Sequence, residues 1–147
     1  MTKTVSTTLE MHIAAPRAVV YQVLADRESY GDHLPITTRL VTPGTSDRQG
    51  VGAVHFLGLG PVGAKERITE LVPDQRMAYE VVAGLPSKRH AGEVELADEG
   101  TGTRMTYSMT HEPRLPAPAG VLRAVMRSLT KTLGNAVKKE AERRAKA

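Results

Sequence analysis

The clearest pattern in the sequence is a helical stripe near the C-terminus, over residues 118–144. Apolar residues recur there at spacings of three and four, which places them on one side of an α-helix. At ~1.5 Å per residue such a helix is about 40 Å long, enough to cross a small domain. We therefore predict one long helix on which the rest of the chain packs. Its predicted apolar stripe consists of Leu122, Val125, Met126, Leu129, Leu133, Ala136 and Val137.

Most segments before this helix alternate apolar and polar residues, which is typical of strands with one buried face. Between the first two strands, Pro16 begins a helix that ends near Asp26, and residues 27–35 form a short helix or loop. A proline-rich link over residues 113–118 leads to the long helix. The predicted class is α+β, a curved antiparallel sheet of about seven strands closed over the C-terminal helix. The strands cover residues 4–13, 36–41, 51–57, 64–72, 76–82, 89–97 and 103–110.

A glycine-rich segment at residues 58–63 has the G-x-G-x-x-G spacing of dinucleotide-binding loops, and Glu80 lies about twenty residues further on. Dinucleotide binding requires a helix to begin at the third glycine, so that its N-terminal amides hold the pyrophosphate. Here the candidate helix, residues 64–72, would be ended by Pro73 after about nine residues, and no parallel βαβ unit follows. The sequence therefore favours a glycine-rich connection between two strands over a nucleotide site.

Length and composition narrow the class of protein. A chain of 147 residues is expected to form one domain, over residues 1–147, with a core of its own. The absence of cysteine excludes disulfides, thiolate metal sites and a cysteine nucleophile. No apolar run follows the N-terminal lysine and none is long enough to span a membrane, so we expect a cytoplasmic protein without stable membrane insertion.

The net charge of +4 arises largely from the basic end of the predicted helix, which we interpret as a solvated face whose last residues fray. One Phe, four Tyr and no Trp give few rings for base stacking, so no nucleic-acid partner is expected. The five histidines are scattered at positions 12, 33, 55, 90 and 111 without the spacing of a metal site. We therefore expect no metal and no cofactor.

Several short patterns together resemble the helix-grip fold of the START and birch-pollen-allergen (SRPBCC) superfamily, and most closely its bacterial polyketide cyclase/dehydrase branch. The resemblance covers nearly the whole chain and includes two short helices after the first strand. One departure is His33, which stands where the family usually has a Trp before Leu-Pro. The matching patterns are Ile13-x-Ala15-Pro16-x-x-Val19, Leu24-Ala25-Asp26 followed by Tyr30 and Leu34-Pro35, Gly50-x-Gly52, Glu66-x-Ile68 and Gly102-Thr103-Arg104-Met105-Thr106.

The resemblance implies a deep apolar cavity between the concave face of the sheet and the C-terminal helix. Relatives use this cavity for lipids, sterols and polyketides; some cyclise and dehydrate polyketide chains, while many only bind or carry. The fold alone does not choose between these activities. By strand parity and helix position, the expected ligand-binding residues are His33, Leu34, Glu66, Ile68, Met77, Tyr79, His90, Val94, Met105, Tyr107, Leu122, Met126 and Leu129.

An aldol cyclisation needs a base beside the substrate carbonyl and a donor for the enolate oxygen. Glu66 or His90 could act as the base, and Tyr107 or Tyr79 as the donor. Burial of a carboxyl group generally raises its pKa and makes it a stronger base near neutrality. Alternatively, Glu66 and His90 satisfy each other or a backbone group, as buried polar side chains usually do.

An inward-facing arginine, expected in an aromatase/cyclase pocket, is not evident, because Arg67 and Arg104 have outward parity. We therefore expect a binding or carrier protein for a small hydrophobic molecule, working as a monomer or a homodimer. One alternative is a polyketide cyclase/dehydrase that uses Glu66, His90 and Tyr107. A further alternative is a protein-interaction module that uses the basic end of the long helix.

Overall fold

The computed structural model of the protein describes residues 4–147 and contains one seven-stranded antiparallel sheet in that range, with strand order β1-β7-β6-β5-β4-β3-β2. The sheet curves around a long C-terminal helix, which confirms the predicted fold class. In chain order the elements are β1 (Val5–Ile13), α1 (Arg17–Ala25), a 3₁₀ helix (Arg27–Asp32), β2 (Thr37–Thr42), β3 (Val54–Leu59), β4 (Val62–Val72), β5 (Arg76–Ala83), β6 (Ser87–Glu99), β7 (Gly102–Pro113) and α2 (Ala119–Lys146).

The two helices after β1 close one side of the sheet. Pro16 has φ −62°, the angle its ring imposes, and it immediately precedes α1. The apolar positions of α1 that face the sheet are buried, namely Val20, Val23 and Leu24. The 3₁₀ helix follows at once and buries two further side chains, Arg27 and Tyr30. These helices therefore bring a charged side chain into the interior.

The glycine-rich segment forms the hairpin between β3 and β4, as predicted. Leu59 pairs with Val62 across the turn, and Gly60 has φ 57°, a left-handed conformation that glycine adopts without steric cost. Gly58 and Gly63 oppose each other in the ladder so closely that a Cβ on Gly58 would lie 2.6 Å from the Gly63 Cα. These glycines therefore allow β3 and β4 to approach each other closely at the hairpin.

Helix α2 spans the predicted residues, but its buried stripe differs from the predicted one. Val125 is 53% exposed and Leu129 is 48% exposed, so their assignment to the buried face was wrong. The helix instead packs closely on β1, where a Cβ on Gly134 would come within 2.7 Å of the Met11 Cε. Small and polar residues thus occupy the contact face. The buried residues are Met126, Thr130, Gly134, Val137, Glu140 and Ala141.

Polar contacts hold the C-terminal half of α2 against the end of β1. The Lys138 Nζ donates to the His12 carbonyl oxygen at 2.7 Å, and the Ala14 amide donates to Glu142 Oε2 at 2.8 Å. This carboxylate also accepts from Lys138 at 3.0 Å, and these three hydrogen bonds lower the freedom of the helix to slide along the sheet. The helix continues to Lys146.

Candidate functional site

A narrow cavity lies between the concave face of the sheet, the 3₁₀ helix and the middle of α2. It has room for only a few water molecules. A ligand of one aromatic ring is larger than this space and requires side chains of the wall to move, whereas a long lipid requires α2 to move away from the sheet. The cavity is lined by Val23, Leu24, Arg27, Tyr30, His33, Leu34, Leu57, Glu66, Met77, Tyr79, Tyr107, Leu133, Ala136 and Val137.

The most unusual residue in this wall is Arg27, which is only 3% exposed. Its Nη2 donates to Glu66 Oε1, so the two charges form a buried ion pair that joins the 3₁₀ helix to β4. Burial acts to lower the pKa of the guanidinium, but the Glu66 carboxylate, with smaller contributions from Tyr30 and Tyr79, outweighs this effect and the pKa is raised overall. The Nε and Nη1 of Arg27 are also buried and have no hydrogen-bond partner within the described residues.

Two aromatic rings flank this guanidinium. The Arg27 Cζ lies 4.8 Å from the ring centroid of Tyr79 and 5.4 Å from that of Tyr30, within the range of cation–π attraction. The Tyr30 hydroxyl donates to the Leu24 carbonyl oxygen at 2.6 Å. This hydrogen bond fixes the position of the Tyr30 ring. Arg27 is therefore held between the Glu66 carboxylate and the faces of two rings.

Tyr79 and Tyr107 form the polar part of the sheet wall. Their hydroxyl oxygens lie 2.5 Å apart, so one hydroxyl donates to the other. Burial raises the pKa of both phenols, and they remain neutral at physiological pH. The Tyr79 ring lies over Gly92 on β6, where a Cβ would be 2.4 Å from the Tyr79 Cζ. Gly92 thus provides the space that this ring needs.

His33 lies where the cavity wall meets α2. Its Nδ1 is 3.8 Å from Glu140 Oε1, a carboxylate whose pKa is lowered to about 2 by hydrogen bonds from Arg143 and, in smaller part, from Arg144. The Nε2 of His33 is buried and has no hydrogen-bond partner in the described part of the chain. His33 therefore adds a polar atom to a wall whose other polar groups are those of Arg27, Glu66 and the tyrosines.

A second group of polar residues supports the 3₁₀ helix from the outside. The Gln49 side chain donates to Asp26 Oδ1 at 2.9 Å and accepts from His55 Nε2 at 3.0 Å. Burial, together with the charge of Arg27, lowers the pKa of His55 to about 4, so this imidazole stays neutral. The network fixes the start of the 3₁₀ helix and hence the position of Arg27.

His90 faces the interior, as its parity predicted, but it lies outside the cavity wall. Its Nδ1 is 2.9 Å from the Nδ1 of His111 on β7, so one imidazole donates to the other. Burial lowers the pKa of both rings, and for His90 the neighbouring His111 adds to this effect. The alternative in which Glu66 and His90 satisfy each other is therefore wrong, because each has a different partner.

The cavity wall contains some of the residues proposed from the sequence, namely His33, Leu34, Glu66, Met77, Tyr79 and Tyr107. The other proposed residues lie elsewhere. Leu129 is half exposed on α2, and Leu122 is partly buried against the core. The remaining proposed apolar residues are buried core residues outside the wall, namely Ile68, Val94, Met105 and Met126.

The expectation that no arginine faces inward was wrong, since Arg27 is the central polar residue of the cavity. Strand parity could not find it, because it lies in a 3₁₀ helix of six residues, which is too short to show a periodic pattern. The only signal was its position directly after Asp26 in the segment that carries Tyr30. No cluster of three or more His, Asp or Glu residues with the arrangement of a metal site occurs in the described range.

Comparison with known proteins gives the family. Residues 4–144 match the family model described as polyketide cyclase / dehydrase and lipid transport. The chain belongs to this family. No curated protein sequence matches the chain. No helix within residues 4–147 is long and apolar enough to cross a membrane.

Solved structures with the same fold agree with this assignment. A START superfamily protein from Mycobacterium smegmatis aligns over 95% of this chain and 97% of its own, with a TM-score of 0.79 and 16% identity. Norcoclaurine synthase from Thalictrum flavum, in complex with dopamine and hydroxybenzaldehyde, aligns over 94% and 86%, with a TM-score of 0.74 and 14% identity.

The di-domain ARO/CYC BexL from the BE-7585A biosynthetic pathway aligns over 98% of this chain but 50% of its own, with a TM-score of 0.75 and 20% identity. This chain therefore corresponds in length to about half of that protein. At these identities the likeness shows the fold alone, which is the START-like helix-grip fold proposed from the sequence.

Proposed function

We propose that the protein binds a compact hydrophobic molecule that presents an oxygen acceptor to Arg27. The observation that supports this is the pair of buried Arg27 N–H groups, Nε and Nη1, that have no partner within the described residues. Leaving a buried donor unpaired is costly, and both groups belong to a side chain that lines the cavity. A bound acceptor would satisfy them, while the apolar wall around Leu57 and Leu133 would hold the rest of the molecule.

A neutral carbonyl fits this wall better than a carboxylate. The Arg27 charge is already balanced by Glu66, and a second carboxylate would be repelled by the first at short range in a medium of low dielectric constant. The neutral phenols of Tyr79 and Tyr107 can donate or accept, and therefore also suit an uncharged oxygen. The small volume favours a ligand no larger than about one aromatic ring, which displaces side chains of the wall on binding, or a larger one that moves α2.

Membership of a polyketide cyclase/dehydrase and lipid transport family supports a hydrophobic ligand. So does the likeness to folds solved with small aromatic compounds, such as the complex with dopamine and hydroxybenzaldehyde. We further propose that the protein acts in the cytoplasm as a monomer or a homodimer, which cell fractionation and size-exclusion chromatography would test.

Acetophenone and ethylbenzene are a suitable probe pair, because they have nearly the same shape and differ in the carbonyl oxygen. We expect acetophenone to bind roughly 10 to 150 times more tightly, since a hydrogen bond to a charged group is worth about 1.5–3 kcal/mol. Calorimetric titration of both probes measures this ratio. The variant Arg27→Met/Glu66→Met should bind both probes about equally, because it removes the charged pair together.

Leu133→Trp should abolish the binding of both probes, since Leu133 lines the cavity. Leu129→Trp is the matched control on the same helix and should bind as the unmodified protein does, because Leu129 is half exposed outside the wall. Equal affinity of the unmodified protein for acetophenone and ethylbenzene would contradict the role of Arg27. Loss of binding in Leu129→Trp but not in Leu133→Trp would contradict the position of the cavity.

A second candidate function is aldol cyclisation of a polyketide-like chain, and the contact between Arg27 and Glu66 favours it. A carbonyl oxygen held by Arg27 would place its α-carbon near the Glu66 carboxylate. Glu66 could then remove the α-proton, while the guanidinium N–H groups stabilise the enolate oxygen. Conversion of a linear poly-β-ketone, followed by ultraviolet absorbance of the aromatic product, tests this. Glu66→Gln should abolish turnover yet keep probe affinity within about tenfold, or ~1.4 kcal/mol.

A further inference from the structure

Three segments, each a connection together with the adjoining ends of its strands or helix, meet at one end of the sheet, and together we call them the hairpin end. They are residues 57–65 at the β3–β4 turn, residues 81–92 at the β5–β6 turn, and residues 113–131 covering the link and the first turns of α2. A Cβ on Gly84 would lie 2.2 Å from the Gly63 carbonyl oxygen, so the two turns touch. The Arg114 amide donates to the Pro86 carbonyl oxygen at 3.2 Å, which joins the link to the second turn.

The hairpin end exposes apolar side chains. Leu59 is 69% exposed and Val62 is 76% exposed at the tip of the β3–β4 hairpin. On α2, Val125 and Leu129 are also exposed apolar side chains, four residues apart on one side of the helix. Among the large apolar side chains that are exposed in residues 4–147, Val51 alone, at 45%, lies outside these three segments. The apolar exposure is therefore concentrated at one place on the surface.

The hairpin end is also cationic. None of the 16 acidic residues of the chain lies in its three segments. Four border them: Glu66, Glu80 and Glu93 pair with Arg27, Arg67 and Arg76, and Glu112 lies opposite Arg89 in the β6–β7 register. The exposed cations of the hairpin end form no ion pair in the described structure, whereas Arg76, at the other end of the sheet, bridges three carboxylates. These unpaired cations are Lys65, Lys88, Arg89, Arg114, Arg123, Arg127 and Lys131.

We infer that the hairpin end docks the protein onto an anionic lipid bilayer. Exposed leucine and valine gain free energy by entering the boundary between headgroups and acyl chains, while lysine and arginine contact the lipid phosphates. A nucleic acid would use the cations but would gain little from the apolar tips of Leu59 and Val62. This docking is peripheral and does not depend on which ligand the cavity holds.

The docking surface is continuous with the cavity. Leu129 lies one helical turn before Leu133, and Leu57 lies two residues before Leu59 on the same face of β3. Leu133 and Leu57 both line the cavity. A molecule leaving the bilayer at the hairpin end would therefore meet an apolar path into the interior.

Co-sedimentation with vesicles tests the inference. We expect the full chain to bind vesicles of phosphatidylcholine mixed with phosphatidylglycerol, and to bind pure phosphatidylcholine vesicles much more weakly. Arg123→Gln/Arg127→Gln should lower the partition coefficient roughly 25-fold, since each cation near an anionic surface contributes about fivefold. The matched control is Lys139→Gln/Lys146→Gln, which removes the same charge from the other end of α2 and should change binding by less than about threefold.

The apolar contribution is tested by Leu59→Ser/Val62→Ser, with the exposed Val51→Ser as the control. Binding by the first variant should fall at least tenfold at moderate salt, while the control should bind as the unmodified protein does. Circular dichroism checks that each variant is folded. Absence of binding to anionic vesicles overturns the inference. Equal losses for the two charge variants, or binding to duplex DNA that exceeds vesicle binding and is unaffected by Leu59→Ser/Val62→Ser, also overturn it.

Discussion

Removal of Arg27 alone is expected to destabilise the protein far more than removal of its whole ion pair. Arg27→Met keeps the apolar stem but leaves the Glu66 carboxylate, whose side chain is 14% exposed, without its partner. Losing one member of a buried pair costs about 3–5 kcal/mol, and some water access to Glu66 favours the lower end. Lost cation–π contacts with Tyr30 and Tyr79 add ~1 kcal/mol. We therefore expect a loss of about 4 kcal/mol.

Urea denaturation followed by circular dichroism measures this loss. With a slope of ~2 kcal/mol/M, the midpoint should fall by roughly 2 M. Arg27→Met/Glu66→Met should return the free energy of unfolding to within ~1 kcal/mol of the unmodified protein, because an apolar pair of similar volume can replace a buried ion pair. The description of this pair as buried and coupled is refuted if Arg27→Met costs less than ~1 kcal/mol. It is also refuted if the double variant loses as much free energy of unfolding as Arg27→Met and Glu66→Met lose in sum.

Three further changes test other parts of the site. Tyr107→Phe leaves the buried Tyr79 hydroxyl without its 2.5 Å partner, and should cost about 1–3 kcal/mol in urea denaturation. Gly92→Ala places a Cβ 2.4 Å from the Tyr79 ring, so we expect a loss of roughly 1–3 kcal/mol and weaker probe binding. The pKa of His55 is lowered to about 4 by burial and by Arg27. On acidification the imidazole of His55 is therefore protonated at a higher pH in the unfolded chain than in the folded protein. Stability should therefore fall by roughly 3 kcal/mol between about pH 6.5 and pH 4, and His55→Gln should flatten that dependence in urea titrations at several pH values.

The strands and their inward faces could be predicted because a strand has a period of two and one face of this sheet is buried. Tyr79 and Tyr107 were placed on the inner face by this rule alone, and the structure brings their hydroxyls together. His90 shows the limit of the rule. Its parity is inward, but position along the strand decides whether an inward residue meets the cavity or another strand's side chain, and here it meets His111.

The two main errors have physical causes. The contact face of α2 was predicted from its most apolar residues, but close approach to β1 selects a glycine, Gly134, over large side chains. Arg27 was missed because charged residues are almost always exposed unless they are paired, and its partner Glu66 lies 39 residues away in sequence. A pairing of that kind depends on the tertiary fold and leaves no local pattern.

The central claim is that the Arg27 N–H groups hold the oxygen of a bound ligand. It is tested most directly by NMR of the arginine Nε–H resonances, with Arg27→Met used to assign the Arg27 signal. On saturation with acetophenone, we predict that this proton resonance moves downfield, as a new hydrogen bond requires, and that saturation with ethylbenzene leaves it nearly in place. An Arg27 signal that shifts equally with both probes, or that stays unchanged while acetophenone binds in the cavity, would contradict the claim.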